Sequence, residues 1–205
     1  MELKATQLGK RFNNEWIFRK LDFVLQESNS LVITGPNGSG KSTLLNVLSG
    51  YLSSSEGDII LNVQNKHIQQ TQIQEYSSIA APYLELIEEL TLDELIRFHF
   101  KFVPLSPIVT LSEVADYMQL TKSKSKTIKH FSSGMKQRVK LGLAFLTLKP
   151  TLLLDEPTIN LDFEGIKWYE GKILELIPNK ITVISSNDPK EYFFSSNTLN
   201  ILDYK

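Results

Sequence analysis

Residues 35–43 read GPNGSGKST, with the apolar run LVIT at 31–34 before them and the helix-like LLNVL at 44–48 after them. Strand, glycine-rich loop and helix in that order match G-x-x-x-x-G-K-[ST], a phosphate-binding loop. The chemistry requires this arrangement. A polyphosphate carries several negative charges, which must be met by donors packed more closely than side chains alone allow. Gly35, Gly38 and Gly40 can take backbone angles that a Cβ forbids, so consecutive N–H groups can turn inward around an anion. The helix that follows adds the partial positive charge of its N-terminus at the same spot. The candidate phosphate site is therefore the whole loop: Gly35, Pro36, Asn37, Gly38, Ser39, Gly40, Lys41, Ser42 and Thr43. Lys41 is placed to reach the β- and γ-phosphates of a nucleotide, and the Ser42 hydroxyl to ligate Mg²⁺. The alternative, an ordinary glycine-rich turn, is disfavoured by the presence of both flanking elements.

A second motif narrows the chemistry. Residues 151–154, TLLL, form an unbroken apolar run of the kind a central parallel strand shows, and the run ends in Asp155-Glu156-Pro157-Thr158. In open α/β sheets, ligands gather at that end of the strands. Asp155 can hold Mg²⁺ through water. Glu156 can orient or deprotonate an attacking water, since phosphoryl transfer is mostly positioning and charge stabilisation. A helix-capping acidic pair is the structural alternative for these two residues.

Around these motifs strands alternate with helices, which argues an α/β fold with a mainly parallel sheet. Residues 2–8 and 21–26 read as strands flanking a turn at Asn13 and Asn14, and residues 62–75, polar and rich in glutamine, read as a solvated connection. Residues 76–80 read as a short strand. Thr91-x-x-Glu94 and Thr110-x-x-Glu113 are capping-box patterns, predicting helices over 92–102 and 111–118, within a helical insert at roughly 84–120. Residues 121–129, TKSKSKTIK, read as a solvated loop. Helices are expected over 134–148 and 163–176, and a buried strand over 181–185. Asp188-Pro189-x-Glu191 combines an N-cap, a proline at the first helical position and a capping box, and residues 198–202 close the sheet.

The bulk properties set limits. The 205 residues suit one core, or one core with a small subdomain. With 41% hydrophobic and 22% charged residues and a formal net charge of −1, the composition is that of an ordinary globular protein and offers no electrostatic footprint for nucleic acid. The absence of cysteine excludes disulfides and thiolate metal sites. His67, His99 and His130 are not at metal-ligand spacing. The longest apolar stretch, around 141–148, is far short of the ~20 residues a membrane-spanning helix needs, so direct membrane insertion is not expected.

With GPNGSGKST, FSSGMKQR at 131–138, LLLDEPT at 152–158 and Asn160-Leu161-Asp162 in this order, the chain resembles the nucleotide-binding subunits of ABC transporters over nearly its whole length. The resemblance implies a P-loop NTPase core of the RecA type, an antiparallel β-subdomain and a helical subdomain at roughly 84–130, all in a single ATPase domain over 1–205. It implies ATP and Mg²⁺ as cofactors, with Ser42 and Asp155 at the metal and Glu156 and Lys41 at the chemistry. It places Phe12 where an aromatic stacks on adenine, with Trp16 as the substitute. Ser132 and Gly134 fall at signature positions that touch the γ-phosphate held by the opposite subunit. Two copies, or a copy and a paralogue, would then close over two nucleotides, dock on a transmembrane permease and work from the inner, cytoplasmic face of the cytoplasmic membrane. A slow ATP-gated regulatory module and a soluble non-transport ATPase of the same family are the alternatives. A GTPase is disfavoured because Asn179-Lys180 continues as Ile181-Thr182.

Three departures stand out. Phe131, Ser133 and Met135 replace the first, third and fifth residues of the usual signature LSGGQ. The family's switch histidine aligns with Asn187, which can donate a hydrogen bond to a γ-phosphate but cannot become an imidazolium. The glutamine that ligates Mg²⁺ and senses the membrane partner aligns near Ala81-Pro82.

Overall fold

The computed structural model describes residues 1–195 and 197–205. Their contacts separate two units: Met1–Ile79, Lys149–Glu156 and Leu174–Lys205 in the first, Ala80–Leu148 and Pro157–Ile173 in the second.

The first unit opens with an antiparallel hairpin, β1 (Glu2–Phe12) and β2 (Glu15–Gln26). Asn13 takes a left-handed φ of 52° in the turn between them. Leu3 and Ala5 alternate inward, but then Leu8, Gly9 and Lys10 are all buried in succession. The cause is a bulge: register slips between Ala5 and Leu8, where Gln7 has a φ of 48° and donates its backbone N–H to Asp22 Oδ1 at 2.7 Å. That extra residue is why alternation in this stretch of sequence is weak.

Next come β3 (Ser30–Thr34), α1 (Lys41–Leu48), β4 (Glu56–Val63), β5 (Lys66–Gln69) and β6 (Ser77–Ala80). The expectation of a solvated connection over 62–75 is corrected. Residues up to Val63 finish β4, β5 pairs with it in a hairpin, and a 3-10 turn, Gln70–Glu75, follows. Each of these last two pieces buries a single residue, Ile68 and Ile73, into the core. One apolar residue per element leaves no period to read in the sequence.

In the second unit, α2 (Leu92–Phe102) starts at the predicted capping box: Thr91 N–H donates to Glu94 Oε2 at 2.8 Å, and Glu94 N–H to Thr91 Oγ1 at 3.3 Å. Thr110 and Glu113 form the second box, which opens into a 3-10 turn and the short α3 (Val114–Tyr117). The lysine-bearing loop runs as turns in which Ile128 is buried and Lys124 Nζ donates to the Ser112 carbonyl at 2.8 Å. The helix α4 (Ser133–Leu146) packs its apolar face on Leu92, Leu95, Val114 and Met118. This unit also takes in residues 157–173, so it is larger than the expected insert.

The strand β7 (Thr151–Asp155), the helix α5 (Phe163–Leu176), the strand β8 (Ile181–Ser185) and the edge strand β9 (Thr198–Asn200) complete the chain. Asp188 caps a single 3-10 turn, Pro189–Glu191, by accepting from the Lys190 N–H, and the closing segment is shorter than expected, turning into a 3-10 helix at Ile201. Strand order is β2-β1-β4-β5 in the antiparallel sheet and β6-β7-β8-β3-β9 in the other, where β7, β8, β3 and β9 pair in parallel. The β3, β7 and β8 strands are buried nearly throughout, as their unbroken apolar sequences demand. The core of the first unit gathers Leu3, Leu21, Leu61, Leu44, Leu48, Leu153 and Val183 from both sheets and α1.

Candidate functional site

The end of β3 and the start of α1 build the first part of the site. Gly38 and Gly40 have φ values of 77° and 105°, and Gly40 is the left-handed residue from which α1 begins. A Cβ on Gly40 would come 2.3 Å from Ile17 Cγ2, so a side chain from β2 closes on the loop where only glycine fits. The first turn of α1 carries no acidic residue to compete for its free amides. The Lys41 side chain is buried, 5% exposed, and its Nζ donates to the carbonyls of Gly35 at 2.7 Å and Pro36 at 3.4 Å. The Ser39 hydroxyl is buried with no partner.

The loop borders a depression of about 280 Å³ lined by Ile17, Asn37, Gly38, Gly40, Lys41, Ser42, Thr43 and Glu156. Glu156 arrives there because it follows β7 directly. Its N–H donates to the Ser185 carbonyl at 2.9 Å, and its φ of 44° turns the chain out of the sheet. Asp155, the last residue of β7, is 3% exposed and lies in register with Ser185 of β8. A larger depression, about 800 Å³, lies between Gln26, Asn62 and His67, but it has neither a glycine loop nor a helix start.

These residues fit a nucleotide and its metal. The orphaned Ser39 hydroxyl, the open space over Gly38 and the unopposed helix start form a cradle for an anion. For magnesium, the residues that would serve as donors are one hydroxyl, Ser42, and one buried carboxylate, Asp155. Such a set suits a cation that keeps water and phosphate as its remaining ligands. Among the described residues no cluster of three or more histidines, cysteines or carboxylates could hold a metal by itself.

Asn187 lies beside this loop, but both polar ends of its carboxamide are engaged. Its Oδ1 accepts from Gly35 N–H at 3.1 Å, and its Nδ2 donates to the Gly35 carbonyl at 2.7 Å. Phe12 sits at the end of β1, 47% exposed, with Lys10 Nζ 5.1 Å from its ring centre, and is not part of the depression's lining. Trp16 carries the guanidinium of Arg19 at 4.4 Å over its ring and that of Arg11 at 5.5 Å. Ile17, which does line the depression, escaped the sequence reading because nothing distinguishes it from any other strand residue.

The signature residues lie in the second unit. Ser132 is the N-cap of α4, its Oγ accepting from Met135 N–H at 3.2 Å, and Gly134 lies in the first turn. Phe131 is buried in the core of that unit, which accounts for an aromatic at that position. Three residues of α4 grip the segment after Glu156: Gly134 approaches Asn160, Gln137 Nε2 donates to the Pro157 carbonyl at 2.9 Å, and Arg138 Nη2 donates to Asp162 Oδ1 at 2.9 Å. Asp162 Oδ1 also accepts from Gly165 N–H at 2.8 Å at the start of α5, and these bonds hold its carboxyl below the usual carboxylate range. The Ala81 and Pro82 carbonyls accept from Lys140 Nζ at 3.4 and 2.7 Å. Burial lowers the affinity of that amine for its proton, and the nearby Lys136 adds to the effect.

Comparison with known proteins shows the family and the fold. The sequence pattern of the ABC transporter family matches residues 18–159. The cytochrome c biogenesis ATP-binding export protein CcmA of Rhizobium meliloti is 31% identical over 193 residues, 92% of each chain. The linearmycin resistance ATP-binding protein LnrL of Bacillus subtilis is 27% identical over 205 residues, 98% of this chain and 66% of that protein. Among solved structures, the ATP-binding subunit of an ABC transporter superposes with a TM-score of 0.83 over 98% of this chain and 86% of the other at 21% identity, which shows the shared fold. By its phosphate loop, the carboxylates after β7 and the family pattern across most of its length, the chain belongs to the ABC transporter family, as an ATP-binding subunit.

Proposed function

We propose that this chain binds Mg-ATP at residues 35–43 and hydrolyses it to drive a separate membrane permease. The observation that carries this reading is the shared depression, in which the phosphate loop and Glu156 face the same space. The loop amides and Lys41 bind the phosphates, Ser42 and Asp155 would hold the metal, and Glu156 orients the attacking water and takes its proton. Held by Ser42 and Asp155, magnesium would supply neutralisation of phosphate charge. Phe12, with its exposed ring, is the platform proposed for adenine.

Ser132 and Gly134, at the start of the 14-residue helix α4, are proposed to meet the nucleotide of a second copy, so that two chains close over two ATP. No helix among the described residues is long and apolar enough to cross a membrane, so the spanning part of such a transporter would belong to the permease. Work at the inner face of the cytoplasmic membrane follows from that partnership. The readings as a slow regulatory module or a soluble non-transport ATPase are not favoured by relatives named as an ATP-binding export protein and as ABC transporter ATP-binding proteins.

Single-turnover hydrolysis tests the proposal. Glu156→Gln should lower the rate by about 10²- to 10³-fold while ATP still binds, the scale of losing a general base. A wild-type rate no higher than that of the variant would overturn it. The Glu156→Gln protein with ATP should also run as a dimer in light scattering and co-purify with a permease from solubilised membranes.

A further inference from the structure

The β3–β8 ladder ends in an unusual way. Its last regular pair is Ile33 and Ser185, and Ser186 N–H donates to the Ile33 carbonyl at 3.1 Å. In a parallel pair the next two bonds would run from Gly35 N–H to the Ser186 carbonyl, and from Asp188 N–H to the Gly35 carbonyl. Neither is made. Asp188 N–H turns aside to Ser186 Oγ at 2.9 Å, and the Asn187 carboxamide takes both places, accepting from Gly35 N–H and donating to the Gly35 carbonyl. A carboxamide is the one side-chain group with the donor and acceptor of a peptide on a single plane.

The Gly35 carbonyl also accepts from Lys41 Nζ at 2.7 Å, the same length as the bond from Asn187. Its two lone pairs are thus filled by Lys41 and Asn187. On the functional reading above, on which this inference rests, phosphate competes with that carbonyl for the three N–H donors of Lys41. Asn187 is then the donor that keeps the first peptide of the loop in place.

We propose that Asn187 is a positioning residue, a side-chain rung that extends the β3–β8 ladder by one step and fixes Gly35, rather than a γ-phosphate contact. A diphosphate and a triphosphate both engage Lys41 and both need the loop held, so the residue acts on ADP and ATP alike. This differs from the role that alignment with a switch histidine suggests, in which only the triphosphate would be sensed.

The test is calorimetric titration of ATP and of ADP, each with magnesium, into the full chain, its Asn187→Ala variant and the near-isosteric Asn187→Leu variant. Amide hydrogen exchange without nucleotide accompanies it. Both variants should bind both nucleotides about tenfold more weakly, the scale of two lost hydrogen bonds, with the ATP to ADP ratio unchanged. Gly35 N–H should exchange faster in both variants while the β8 amides stay protected, which separates loss of the rung from loss of the fold. If wild type binds both nucleotides but the variants lose ATP alone, or neither, the inference is overturned by itself. Loss of β8 protection along with that of Gly35 also overturns it, since Asn187 would then be serving the fold at large. A wild type that binds neither nucleotide overturns the functional reading and this inference with it.

Discussion

The Asn160 carbonyl oxygen stands 2.7 Å from the point a Cβ on Gly134 would occupy. Asn160 is itself held in a left-handed conformation, with a φ of 64°. The glycine of the signature is therefore required by the packing of its own chain, independently of any phosphate. The atom in the way belongs to backbone and cannot rotate aside.

Gly134→Ala should accordingly destabilise the nucleotide-free protein by about 1–3 kcal/mol, the usual penalty of overpacking a close contact. Urea denaturation without ATP measures it. An unchanged midpoint would show that the 157–162 segment yields freely and that Gly134 acts on phosphate alone.

Gln137 is 3% exposed and its Nε2 donates at 2.9 Å to the carbonyl of Pro157, the residue after Glu156. Gln137→Leu fills similar space but leaves that carbonyl without its donor in a buried setting. We expect a loss of about 1–3 kcal/mol by chemical denaturation, together with a lower turnover at saturating ATP as the chain after Glu156 loosens. Unaltered stability and turnover would mean water replaces the amide without consequence.

Lys180 gives the stability a pH dependence. It is 7% exposed, its Nζ donates to the Lys149 carbonyl at 2.8 Å, and burial pushes its pKa down from the ordinary 10.5 to about 8. Below pH 8 both folded and unfolded chains hold the proton, and the fold carries the whole cost of a buried ammonium. Between pH 8 and 10.5 the unfolded chain binds more protons than the folded one, so stability rises with pH there. The full span is worth about 3 kcal/mol. Stability relative to Lys180→Met should therefore improve from pH 7.5 to 10.5, by denaturant titration at each pH. A difference that stays flat would show the ammonium to be solvated after all.

The parts of the fold legible in the sequence were those with local causes. The capping box at Thr91 and Glu94 needs only four consecutive residues, and it stands where expected. Helix α5 has the expected bounds, Phe163–Leu176, because its apolar period is unbroken. The β4–β5 hairpin was missed because Ile68 and Ile73 are single inward residues amid polar neighbours. The depression gathers the loop with Glu156, the pairing expected from the two motifs, and adds Ile17, which no motif marks.

GPNGSGKST carries its own conformation: glycines that accept positive φ, then a helix start, then a lysine and a hydroxyl at fixed offsets. Spacing along the chain is enough to specify these because every interaction lies within a few residues. What holds the loop in place is not local. Gly35 and Asn187 are 152 residues apart and meet because β3 and β8 are neighbours in the sheet and the chain turns after Ser186. Whether an asparagine at that position faces phosphate or peptide depends on a ladder register and a diverted amide, and only the folded chain settles those.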